Sequence, residues 1–188
     1  MLNGNNTMLS ENHLVAGCVR VLEQGVDLLE RIDDRLYTGT GGLPVQSGVG
    51  AHFRHCIDFY QSFLAGVSAG RIDYDRRERD ALVERDRAFA ATKLRILISE
   101  LQSLPPDGGE AGVLVSLEGE AGASPELARW CLSTVSRELQ FLLSHTVHHY
   151  ALVALALRLQ GFEPGEEFGV APSTLKYWGR EEEAACAR

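Results

Sequence analysis

The sequence predicts an all-α protein: a four-helix bundle with a short two-strand insert before the last helix. Three observations point there. Apolar residues recur at spacings of three and four over four long stretches. Clusters of glycine and proline punctuate the boundaries between those stretches. Helices with one apolar face bury it most simply against one another. At 188 residues the chain is sized for one domain, 1–188.

The first helix is expected from about Asn12 to Leu36, with Leu14, Cys18, Val21, Leu22, Leu29 and Ile32 on one face. The glycine-rich run Thr38–Gly42 ends it. The second runs from about Ser47 to Val67 and stops near Gly66 and Gly70. The third starts near Asp75, where Asp75 and Glu78 have the spacing of a capping box. It continues through Leu82, Phe89, Leu94 and Leu101 until Pro105 and Pro106 stop it. Residues 107–132 are rich in glycine and read as two short strands, Val113–Leu117 and Leu127–Leu132. The fourth helix runs from about Thr134 to Gln160 and stops at Gly161. The tail, 161–188, reads as irregular, and its aromatics Phe162, Phe168, Tyr177 and Trp178 are expected to pack back onto the body.

Composition narrows the function classes. The chain is 45% apolar and 23% charged, which is ordinary for a globular protein. A net charge of −8 argues against nucleic-acid binding and against docking on anionic lipid. No basic-then-apolar leader opens the chain. The longest uncharged run, Leu139–Leu157, carries Gln140, Ser144 and three histidines, so it reads as a buried helix and not a membrane span. The four cysteines, Cys18, Cys56, Cys131 and Cys186, form no C-x-x-C pair. A reducing, cytoplasmic location is the expectation.

Histidine placement carries the functional signal. Of six histidines, His52 and His55 fall on the second helix, and His145, His148 and His149 on the fourth. A helix turns about 100° per residue, so positions i and i+4 lie about 40° apart. On the fourth helix Gln140, Ser144, Ala151 and Arg158 mark the solvent side, so His145 and His149 point inward and His148 lies nearer the wet edge. Imidazoles one turn apart can converge on a single metal ion. A third ligand must come from elsewhere, and the second helix offers His52 or His55. If Arg54, Asp58, Gln61 and Ser62 mark its wet side, His52 points more squarely inward than His55. Three neutral histidines without a thiolate suit a divalent ion such as Zn, Ni or Fe, and they leave coordination positions open for water or substrate.

Glu138, two turns before His145, has three readings: an acceptor for a histidine N–H, a general base beside metal-bound water, or a partly exposed carboxylate near the helix start. Arg137 reads as a surface salt bridge, with an anionic substrate as the other role open to it. Cys56 reads as a core filler, and lone His13 as a residue without a site role.

The segments S-G-V-G-A-H-F-R-H-C-I-D (Ser47–Asp58) and S-H-T-V-H-H-Y (Ser144–Tyr150) together resemble the DinB-like (DinB/YfiT) superfamily of metal-dependent helical-bundle proteins. So do I-D-Y-D-R-R-E-R-D (Ile72–Asp80) and F-G-V-A-P-S-T (Phe168–Thr174). The resemblance covers most of the chain. It implies a three-histidine metal site of His55, His145 and His149, with His52 as the rival upstream ligand. It implies a transferase or hydrolase in which a divalent ion activates a thiol or water nucleophile. The partners it implies are a small-molecule substrate and a low-molecular-weight thiol, with neither nucleic acid nor membrane, and with a homodimer open as the assembly. The competing reading is a non-catalytic metal-binding or stress-response bundle, whose ion only supports the fold. A closed fourth protein ligand would favour that reading, and exchangeable water in an open cleft would favour an enzyme.

Overall fold

The computed structural model describes residues 5–40, 48–105, 109–116 and 130–186. Its first helix, α1 (Asn5–Arg31), ends earlier than periodicity implies. Asp33 leaves helical geometry (φ −93°, ψ 171°) and caps a new short helix, α2 (Asp34–Thr38), by accepting the Leu36 N–H. A short acid that can hydrogen-bond the backbone favours a cap over a helix interior, which splits the expected Asn12–Leu36 helix in two.

Helix α3 (Val49–Val67) matches the second expected helix and closes on Ser68–Gly70, where Gly70 takes a φ of +66°. It leads into a strand that the sequence reading missed, β1 (Arg71–Asp73). The expected capping box at Asp75 and Glu78 does not form. Instead Asp73 Oδ1 accepts the N–H groups of Asp75 and Arg76 at 3.0 and 3.1 Å, folding the chain into a turn. Helix resumes at α4 (Ala81–Arg85), capped by Asp80, and again at α5 (Arg87–Gln102), capped by Asp86.

The insert supplies two strands, as expected, and these join β1 in one three-stranded sheet. β2 (Gly112–Ser116) pairs parallel with β1, Ile72 opposite Val115, and antiparallel with β3 (Trp130–Thr134), Val115 opposite Cys131. β3 overlaps the expected Leu127–Leu132 strand at Trp130–Leu132 and runs on to Thr134, and residues 127–129 fall outside the described residues. β3 runs directly into α6 (Val135–Leu159), whose first turn is capped by Thr134. The tail is not irregular throughout: after Gly161–Ala171 it forms α7 (Pro172–Cys186), one more helix beyond the one that the sheet leads into. Proline suits a first helical turn because the N–H it lacks would have no partner there. Phe168 stacks on Tyr150 (centroids 4.8 Å apart), as expected of a tail that packs back. Tyr177 and Trp178 stay 58% and 43% exposed.

The structure is thus mostly helical, with seven helices and one small sheet among the described residues. α1 packs on α5 and α6, and α3 packs on the same two helices. Between them lie Leu22, Leu29, Phe53, Ile57, Tyr60, Phe63, Leu94, Leu101, Tyr150 and Leu157, all buried. Gly50 lets the start of α3 approach α4 closely, because a Cβ there would stand 2.2 Å from the Glu84 carbonyl oxygen. Among the described residues no helix is long and apolar enough to cross a membrane.

Candidate metal centre

Helices α3 and α6 meet face to face, and His52, His55, His145 and His149 lie on the shared seam. His55 and His145 point Nε2 at Nε2 across 2.9 Å. The ring centroids of His55 and His149 are 4.5 Å apart, and those of His145 and His149 are 4.6 Å apart. One ligand nitrogen from each of His55, His145 and His149 lies within 4.8 Å of the other two, close enough to hold one ion. All three rings are half-buried. Of these three, His52 meets His149 alone at hydrogen-bonding distance, Nδ1 to Nδ1 at 2.9 Å. His148 and His13 are exposed.

The structure therefore groups His55 with the α6 pair and puts His52 beside it. The helical wheel favoured His52 because it counted Asp58 as wet. Asp58 is only 2% exposed. It pairs with Arg54 at 3.1 Å, and Arg54 reaches Glu84 of α4 at 3.0 Å. The α4 region covers that flank, so the inward arc of α3 is wider than the wheel allowed.

Glu138 is buried, which removes the partly exposed reading. Its Oε1 accepts from Ser133 Oγ at 2.5 Å and from Arg137 at 3.3 Å, and it makes no hydrogen bond to a histidine. It ties β3 to the first turn of α6. Cys56 is buried in the core, and burial pushes its thiol well above the usual range.

Aromatic rings wall the cluster on one side, and these the sequence reading missed. Phe59 lies 4.9 Å from His55 and 4.6 Å from His145, and Phe141 stacks on His145 at 5.2 Å. Tyr74 closes the wall against both phenylalanines. The signal was present: Phe59 follows His55 by four residues and Phe141 precedes His145 by four, so each shares its histidine's helix face.

Burial and the neighbouring rings hold the imidazoles of His52, His55 and His149 neutral. Desolvation, reinforced by His145, Arg77 and Arg54, brings His55 down to about 4. Desolvation and the surrounding histidines bring His149 down to about 3, and His52 is lowered for the same reasons. The ordinary value is 6.5, so below it the unfolded chain takes up protons that the folded chain refuses. The stability contributed by the neutral rings is complete above about pH 6.5 and is lost as pH falls toward 4. In a chelator, the urea midpoint is expected to drop between pH 7 and pH 4.5, and His55→Gln is expected to flatten that drop. A midpoint independent of pH would contradict the buried placement of these rings.

No family model matches the chain, and no solved structure matches it. One curated protein, "FK506-binding protein 5" of Rhizopus delemar, is 28% identical over 107 residues, a stretch that covers 56% of this chain. That stretch spans 27% of the length of the Rhizopus protein, so most of that protein has no counterpart here.

Proposed function

We propose that this chain is a divalent-metal-binding protein of the DinB-like (DinB/YfiT) type, with its long helices arranged as that family's four-helix bundle. Its ion, of the Zn, Ni or Fe class, is held by His55, His145 and His149. The observation that carries the reading is the convergence of one nitrogen from each ring, from two helices, within 4.8 Å. Nitrogens bound to a tetrahedral zinc at about 2.0–2.1 Å stand about 3.3 Å apart, and the His55–His145 gap of 2.9 Å is close to that spacing. Neutral imidazole is the ligand form, and burial keeps His55 and His149 in it.

A divalent ion there supplies a nucleophile at neutral pH by lowering the pKa of a bound water or thiol, which suits a transferase or hydrolase acting on a small molecule. The chain's own residues divide the remaining work. A histidine binds a metal through one nitrogen and is oriented through the other. In this reading His52 accepts the Nδ1–H of His149, which fixes the tautomer and turns Nε2 toward the ion. Phe59 and Phe141 exclude water from one side of the cluster. With three protein ligands, coordination positions stay open for substrate.

Protein purified without a histidine tag is expected to carry one divalent ion per chain by elemental analysis, removable by chelator with a loss of thermal stability. A screen of low-molecular-weight thiols as co-substrates then tests the chemistry. Metal-free protein whose stability is the same after metal addition would overturn the reading.

A further inference from the structure

Between β1 and α4 the chain crosses beside the histidine cluster, and its middle residue there is Arg77. The segment is pinned along its length. Asp73 Oδ1 folds the turn at Asp75 and Arg76, Ser116 Oγ donates to Asp75 Oδ2 at 2.7 Å, and Asp80 caps α4. The Arg77 guanidinium lies over Phe59, 4.6 Å from the ring centre. His145 is the same 4.6 Å from that ring, and His55 is 4.9 Å from it.

Arg77 is half-buried, yet it pairs with no carboxylate among the described residues. The acids nearby are engaged elsewhere: Asp58 with Arg54, Asp75 with Ser116, and Glu138 with Ser133 and Arg137. A second guanidinium, that of Arg137, lies over Phe141 on the same aromatic wall, at 5.4 Å. In a chain of net charge −8, two cations thus sit on the rings that border the metal site, and one of them, Arg77, makes no direct ion pair among the described residues and acts on the Asp58 carboxylate only through space. A preorganised guanidinium beside open coordination positions is a receptor for a planar anion.

We infer that the small molecule received at the histidine site carries a carboxylate, which Arg77 binds while the other end of the molecule meets the ion. The inference rests on the metal reading above and adds the substrate class.

The test loads the full chain with Co(II) and titrates it with mercaptoacetate and, separately, with neutral 2-mercaptoethanol. Thiolate-to-cobalt absorption reads occupancy. Mercaptoacetate is expected to bind about tenfold more tightly, the scale of one charge-assisted hydrogen-bonded contact. Arg77→Gln is expected to erase the preference, Arg77→Lys to keep part of it, and added salt to shrink it in the unaltered protein. The cobalt d–d spectrum and far-ultraviolet circular dichroism should be the same in all three proteins. Equal affinities in the unaltered protein overturn the inference. So does a preference that survives Arg77→Gln, because chelation by the thiol acid alone would then explain it. A chain that fails to retain cobalt sinks the metal reading itself, a result distinct from either.

Discussion

Replacing His145 by alanine is expected to abolish stoichiometric metal binding while leaving helix content intact. His145 is the centre of the cluster: it meets His55 nitrogen to nitrogen at 2.9 Å and also contacts His149, Phe59 and Phe141. Loss of even an outer partner of a metal ligand costs roughly 10–100-fold in affinity, so loss of a direct ligand should cost more than about a hundredfold. The ring is half-buried at a helix seam, and alanine is a strong helix former, so α6 should persist. Elemental analysis and circular dichroism check the two halves of this expectation. His148→Ala is the matched control, since His148 is exposed. Unchanged metal content in His145→Ala would count decisively against the site.

Phe53→Ala is expected to give the largest loss of stability, about 3–5 kcal/mol. Phe53 is fully buried on α3, against Tyr37 (6.0 Å between centroids) and Tyr150 of α6 (5.4 Å). Truncation removes the transfer free energy of the ring and leaves a cavity between the two helices that carry the histidines. Because Phe53 stands between His52 and His55, the variant should also weaken metal binding without touching a ligand. Urea unfolding followed by circular dichroism measures the first effect. A loss below about 1 kcal/mol would mean that α3 and α6 do not pack through this residue.

Helix periodicity made the long helices legible, because each buries a continuous apolar face. The i, i+4 spacing made His145 and His149 legible as a pair. Three things were hidden, each for a physical reason. Strand β1 is only Arg71–Asp73, with Ile72 its one apolar residue, and its identity comes from pairing with β2, far along the chain. The breaks at Asp33 and at Asp73–Asp80 depend on which acid wins the backbone N–H groups, a competition that spacing alone does not decide. The choice between His52 and His55 turned on Asp58, a charge that looked solvated until the Arg54–Glu84 pair was seen covering it.

His55 and His145 stand 90 residues apart in sequence yet touch in the fold. An ion shared between them would act as a removable rivet, closing a chain loop long enough for the entropy of the unfolded ensemble to fall substantially. Survival of the folded chain in a cell would then track metal supply, and starvation for the ion would show first as proteolytic turnover.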